Sequence, residues 1–65
     1  MQNDSIEFAE VEVLKETEKA LLCKIGGEDW WIPKSQLREE NEVSGEGDVG
    51  KLVISEWLAT EKGLL

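Results

Sequence analysis

The residues best suited to chemistry lie at positions 30–36 (WWIPKSQ), which hold two of the three tryptophans and the only proline. Neighbouring strand residues point to opposite faces of a sheet, so one of Trp30 and Trp31 is expected in the core and the other outside. An exposed indole stacks on a base or anchors an interface, and a lysine at the following turn grips a phosphate. Trp30, Trp31, Lys34 and Gln36 are therefore predicted to form an interface or a ligand-binding site.

Two structural alternatives compete with that site. Both rings are buried if the terminal helix covers the second one, although a domain of 65 residues has little material with which to cover two faces. Lys34 is only solvated if Ser35 caps a helical turn. The sequence leaves both alternatives open.

A second candidate site is the acidic segment that follows. The chain has 15 acidic and 7 basic residues, and its formal charge of -8 argues against binding phosphates of nucleic acid or an anionic membrane surface. The same charge suits a basic protein surface, including one that normally holds nucleic acid. We expect a partner-binding acidic surface made of Glu39, Glu40, Glu42, Glu46 and Asp48. The alternative is a solvated segment that protects a sheet edge.

The chain offers few residues that are suited to catalysis or metal binding. The chain has no histidine and a single cysteine, so it offers neither a disulfide nor a zinc site with nitrogen and sulfur ligands. Cys23 lies in an apolar strand and is expected to be a small buried hydrophobe. Ser35 and Ser55 lack a histidine base, and nothing marks a cleft around the many carboxylates. We therefore expect no enzyme activity, no cofactor and no metal ion; the acidic spacing does not match an EF-hand loop.

The elements that position these residues belong to a single domain at residues 1–65, which begins with a loose tail at 1–5. Apolar and acidic residues alternate over residues 6–13, as they do in a strand with one buried face. The alternation shifts phase by one position between Phe8 and Val11. This shift predicts a β-bulge near Ala9-Glu10.

A hairpin is predicted in the middle of the chain. A polar turn at 15–19 is followed by an apolar strand at 20–25. Gly26 and Gly27 then supply the positive φ angles of a tight turn, and a partner strand follows at 29–32. Pro33 ends that strand because it has no backbone N–H to donate.

The second half of the chain is more polar. A single helical turn is expected at 34–37, with Leu37 packed on the core. Residues 38–43 are expected to form a charged, exposed edge strand, and 44–48 a flexible loop. A final strand is predicted at 50–54.

The C-terminal stretch 55–63 predicts a short helix with Ser55 as N-cap and Gly63 just past its end. Trp57 and Leu58 are expected to pack on the mouth of a barrel. Together the elements predict a mainly β fold, namely a small antiparallel SH3-like or OB-like barrel of four to five strands with a short C-terminal α-helix.

Three pieces of the chain resemble a family of small uncharacterised proteins typical of bacteriophage and prophage genomes. They are residues 19–22 (KALL), the Trp-Ile-Pro-Lys-Ser-Gln turn at 31–36, and residues 55–59 (SEWLA), in the family's order. The resemblance covers residues 19–64. It implies a phage-type accessory protein that acts on host machinery, and it assigns no functional residue.

Two functions follow as hypotheses. The charge and the phage-type resemblance favour an acidic protein in the host cytoplasm that inhibits a nucleic-acid-directed defence complex by occupying its basic surface. A small domain also needs a stabilising partner, which favours a homo-oligomer that sequesters a small signalling nucleotide in Trp/Lys pockets. The N-terminus has no signal-peptide pattern, and no apolar run reaches the ~20 residues of a membrane span.

Overall fold

The computed structural model describes residues 4–64 as one open antiparallel sheet followed by a short helix. In chain order the elements are β1 (Ser5–Glu16), β2 (Ala20–Ile25), β3 (Glu28–Pro33), a 3-10 turn (Lys34–Gln36), β4 (Val49–Ser55) and α1 (Glu56–Glu61). The strand order across the four-stranded sheet is β3-β2-β1-β4. The mainly β prediction with a C-terminal helix is thus confirmed. None of the helical segments within residues 4–64 combines the length and apolar character that crossing a membrane requires.

Strand β1 is longer than the sequence predicts. Ser5 pairs with Ser55 of β4 instead of belonging to a loose tail, and residues 1–3 of that predicted tail lie outside the described part. At its other end β1 continues to Glu16, into the predicted polar turn. Thr17 then closes the turn, since its hydroxyl accepts the N–H of Ala20 at 3.0 Å.

The predicted bulge in β1 is confirmed. Phe8 pairs with Leu52 and Val11 pairs with Gly50, so two residues of β1 oppose Lys51 alone. Glu10, the second of the two, has a φ of 55°, a left-handed conformation that is uncommon outside glycine. A second register shift follows between Val13 and Lys15. These irregularities let one strand pair with β4 over its first half and with β2 over its second.

The β2–β3 hairpin also follows the prediction. Its turn residues Gly26 and Gly27 have φ angles of 59° and 87°, the values of a type I′ turn. Ile25 pairs with Glu28 and the pairing continues to Ala20 and Pro33. Pro33 is the last residue of β3, as expected for a residue without a backbone donor.

The core lies on one face of the sheet, under α1. Side chains from all four strands contribute to it, together with two helix residues and one from the loop before β4. The buried members are Val11, Val13, Leu21, Cys23, Ile25, Ile32, Val43, Leu52, Ile54, Leu58 and Ala59. Because Cys23 is fully buried, desolvation raises the pKa of its thiol to about 11, and it acts as the small hydrophobe that was predicted.

The segment 37–43 does not contain the exposed edge strand that the sequence predicts at residues 38–43. It runs irregularly along the outer edge of β4, where the Arg38 N–H donates to the Val53 carbonyl at 3.0 Å and the Glu42 N–H to the Lys51 carbonyl at 2.9 Å. Leu37 forms a bridge with Ile54 and packs on the core, as expected. Val43 is fully buried. Because its apolar end enters the core, this segment covers the edge of β4 and is only partly solvated.

The terminal helix has the predicted caps. Ser55 Oγ accepts the Leu58 N–H at 3.1 Å. Gly63, with a φ of 72°, donates to Thr60, and Leu64 donates to Ala59. These two bonds form a Schellman motif that returns the chain toward the core.

One prediction for the helix is wrong. Leu58 is buried as expected, but Trp57 is 62% exposed and does not pack on the sheet. Adjacent helix residues project about 100° apart, so a six-residue helix that buries Leu58 and Ala59 turns Trp57 outward.

Candidate functional site

The two central tryptophans leave the sheet on opposite faces, as alternation predicts. Trp30 pairs with Cys23 and is half-buried against the core. Trp31 pairs with Leu22 on the outer face and is 45% exposed. The helix lies over the core face, so it does not cover the Trp31 ring, and the alternative in which both rings are buried is wrong.

Lys34 and Gln36 are both engaged within the subunit. Lys34 Nζ lies 2.7 Å from Glu16 Oε2. The Ser55 hydroxyl donates to Gln36 Oε1 at 2.6 Å. Ser35 caps nothing, because the 3-10 turn begins after Pro33 without a side-chain cap. Of the four residues predicted for an interface or ligand site, only Trp31 is exposed to solvent; the other three are partly buried.

The acidic segment divides into residues that shape the loop and residues that face solvent. Asp48 Oδ2 accepts the Ser44 N–H at 2.8 Å and the Gly45 N–H at 2.9 Å. These backbone hydrogen bonds hold the pKa of the Asp48 carboxyl below its ordinary value of 3.8, and the bond from Ser44 has the largest effect. By contrast, Glu39, Glu40 and Glu46 are exposed. Asp48 thus closes a turn, and the exposed glutamates give the segment its negative surface.

Asp48 gives a testable pH dependence. Its lowered folded-state pKa means that its contribution to stability is present above the unfolded-state pKa and is lost as the pH falls below about 4. We expect Asp48→Asn to be less stable than the parent chain between about pH 5 and 7, with the difference shrinking toward about pH 3. Urea unfolding of both chains at each pH measures this difference in the free energy of unfolding. Glu46→Gln, which neutralises an exposed carboxylate of the same loop, is expected to show no such narrowing; a difference for Asp48→Asn that is constant with pH would contradict the assignment.

An acidic groove lies where the bulge of β1 faces β4. It is an open depression of about 380 Å³ lined by Glu7, Ala9, Glu10, Glu42, Gly50 and Lys51. Three glutamates and one lysine thus line the groove. Glu7 Oε2 lies 3.8 Å from Lys51 Nζ, and Glu42 Oε1 accepts the Lys51 N–H at 3.2 Å. The groove carries more negative charge than its one lysine neutralises.

The bulge builds this groove. The residues of β1 that oppose Lys51 alone include Glu10, whose left-handed backbone breaks the regular alternation of side chains along the strand. Glu42 reaches the same place from the segment along the edge of β4. Of the predicted acidic surface, only Glu42 lines the groove. Glu7 and Glu10 were missed as site residues: the predicted bulge places both on one stretch of β1, but nothing local indicates that Glu42 and Lys51 join them.

Metal binding finds no support in the described part of the chain. Within residues 4–64 no three acidic or cysteine side chains are grouped so that they could hold a metal ion. The groove therefore presents negative charge without a group of side chains placed to hold a metal ion.

Comparisons with known proteins identify no relative. No protein-family model matches the chain, and no curated protein or solved structure is significantly similar to it. The resemblance of residues 19–64 to phage-type proteins stays a prediction. Function must therefore be inferred from the groove and the exposed surfaces.

Proposed function

We propose that this chain is a non-enzymatic binding protein whose acidic groove occupies a basic surface of a partner protein. The observation that carries the proposal is that Glu7, Glu10 and Glu42 line one groove with a single lysine, on a chain of net charge -8. Arginine and lysine side chains fit such a groove because charge-assisted hydrogen bonds to carboxylates are short and directional.

The conformation of Glu10 supports the choice of the groove. A left-handed backbone costs a non-glycine residue about 1–2 kcal/mol, and glycine at the same position would avoid that cost. Strained residues concentrate at binding and catalytic sites, where their side chains are needed in a particular place. Glutamate at this position therefore supports a role for its carboxylate outside the fold itself.

The charge indicates the class of partner. A surface that accepts several carboxylates is one that accepts phosphates, so the proposed partner normally holds nucleic acid there. Together with the phage-type resemblance, this extends the proposal to inhibition of a nucleic-acid-directed defence complex in the host cytoplasm. The exposed Glu39, Glu40 and Glu46 would add long-range attraction that speeds the encounter.

We also infer that the open sheet is the body of a small SH3-like or OB-like barrel that is left partly open. β1 is long, bent by its bulges and shared between β2 and β4, which is how a small barrel turns its corner. The segment 37–43 continues the wall beyond β4. The opening then lies between this segment and β3.

The test is capture of proteins from a nuclease-treated bacterial lysate on the immobilised chain. We expect capture of a nucleic-acid-binding protein that added DNA or RNA displaces. Reversing Glu7, Glu10 and Glu42 to lysine is expected to weaken this capture at least about tenfold, because like charges then face the partner's basic groups.

A matched variant controls for net charge. Each reversal adds two charges, so three change the net charge by +6, from -8 to -2. Reversing the exposed Glu12, Glu18 and Glu61, none of which lines the groove, instead gives the same net charge. Equal loss in both triple variants would show that only overall charge matters, and unchanged capture by the groove variant would overturn the proposal.

The alternative function is a homo-oligomer that sequesters a small signalling nucleotide. One observation favours it, the free indole of Trp31 on the outer face. Against it, Lys34 would have to leave Glu16 to bind a phosphate, and the net charge opposes an anionic ligand.

A further inference from the structure

The free edge of the sheet at β3 carries an inference that is independent of the acidic groove. In the part of the chain that the structure describes, β3 pairs with β2 alone. In an antiparallel ladder successive residues direct their backbone groups alternately toward the partner strand and away from it. Because Ile25 and Glu28 flank a two-residue turn as a hydrogen-bonded pair, the groups that point away belong to Asp29, Trp31 and Pro33. Among residues 4–64 no hydrogen bond from outside the hairpin reaches them.

The outer face beside this edge is apolar. Leu22 pairs with Trp31, and Ala20 pairs with Pro33 in the neighbouring row. Trp31 is 45% exposed there, and Leu22 is half-buried. An edge strand with unpaired backbone groups and an uncovered apolar face is a template for another strand, unless charge or shape blocks it.

We propose that a second copy of this chain pairs antiparallel with β3 across this edge. The two sheets join into one continuous sheet about a two-fold axis at Trp31. Each Trp31 exchanges both backbone hydrogen bonds with its counterpart, and the two indoles cover each other on the outer face.

Charge complementarity selects this register. Asp29 opposite its own counterpart would place two carboxylates together, and Asp29 opposite Trp31 would pair a carboxylate with an indole. Every register that pairs Pro33 lacks its backbone donor. Pairing Pro33 with Trp31 would place the missing bond beside the two-fold axis, whereas Trp31 opposite itself moves it to the ends of the ladder, at Asp29. With Trp31 opposite itself, Asp29 donates to the Pro33 carbonyl of the other copy. Glu28 of each copy then faces Lys34 of the other, which adds two opposite-charge pairs across the dimer. Lys34 keeps its contact with Glu16 of its own subunit and then lies between two carboxylates.

The dimer leaves the proposed function intact. β3 and β4 are opposite edges of the sheet, so pairing at β3 leaves the groove between β1 and β4 open in both copies. Failure of the dimer would not affect the groove proposal, and failure of the groove proposal would not affect the dimer.

Sedimentation velocity of the full chain over a concentration series tests the proposal. We expect a reversible dimer whose Kd rises about tenfold in Glu28→Lys and in Lys34→Glu, because each variant faces like charges across the new ladder. The double variant restores both pairs in swapped order and is expected to recover the parent Kd to within about threefold. Trp57→Ala removes the exposed helix tryptophan and is expected to leave the Kd unchanged.

Two results would overturn the proposal. One is a chain that remains monomeric at about 1 mM. The other is a dimer whose double variant is no tighter than the single variants, since the register then differs. Hydrogen exchange of the backbone amides is an independent test. The exchange rates of the Asp29 and Trp31 amides are expected to fall as the protein concentration rises. Protection confined to β4 would place the interface elsewhere.

Discussion

Replacing Leu21 with alanine is expected to lower the free energy of unfolding by about 2–5 kcal/mol. Leu21 is fully buried at the centre of the core and pairs with Ile32 across the hairpin. Truncation removes apolar contacts and leaves a cavity that the surrounding strands fill only in part. A domain of 65 residues has a total stability of about 3–10 kcal/mol, so the variant is expected to be largely unfolded at 37 °C.

The next residue provides a matched control. Leu22 has the same side chain one position along β2, but it lies on the outer face and is only half-buried. We expect Leu22→Ala to cost less than about 1 kcal/mol in urea unfolding followed by circular dichroism. Equal losses at both positions would mean that the two faces of β2 are buried alike, which would contradict the sheet as described.

The β-hairpin and the bulge could be predicted from the sequence because local rules decide them. Two glycines at the turn fix the hairpin and hence the register of Trp30 and Trp31. A change of phase in an alternating pattern requires an extra residue, and the structure places it at Ala9-Glu10. Ser55 and Gly63 likewise mark the two ends of the helix through hydrogen bonds made within a few residues.

The acidic groove could not be predicted, because its residues are brought together by pairings between distant parts of the chain. Glu42 meets Lys51 only because the segment 37–43 follows the edge of β4. The charged sequence of this segment predicts an exposed strand, and no local sequence feature indicates that Val43 is buried in the core. The prediction that Trp57 packs on the sheet was wrong for a similar reason. A short helix buries one stripe of its surface, and tertiary packing decides which stripe that is.

The two proposed surfaces have a joint consequence. A dimer through β3 would carry one acidic groove at each far edge, so two basic sites on one partner would be bound together. Such bivalent binding raises avidity by about 10²–10⁴ when the spacing of the sites matches. Variants at Glu28 or Lys34 would then weaken capture of a two-site partner while the groove itself stays intact.

The second large effect is expected at Ser55, whose hydroxyl serves two elements at once. It accepts the Leu58 N–H at the start of α1 and donates to Gln36 Oε1 after β3, and the residue is only 2% exposed. Ser55→Ala removes the helix cap and leaves two poorly solvated polar groups without a partner. We expect a loss of about 2–4 kcal/mol in the free energy of unfolding.

A double-mutant cycle tells the shared hydroxyl apart from an ordinary helix cap. If Ser55 and Gln36 act as a pair, Gln36→Ala is expected to cost much less in the Ser55→Ala background than in the parent chain, with a coupling of about 1 kcal/mol. Ser35→Ala, an exposed serine beside Gln36, is expected to change stability by less than about 0.5 kcal/mol. Additive losses at Ser55 and Gln36 would show that the cap alone matters. A measured coupling would show instead that one hydroxyl stabilises both the turn after β3 and the terminal helix.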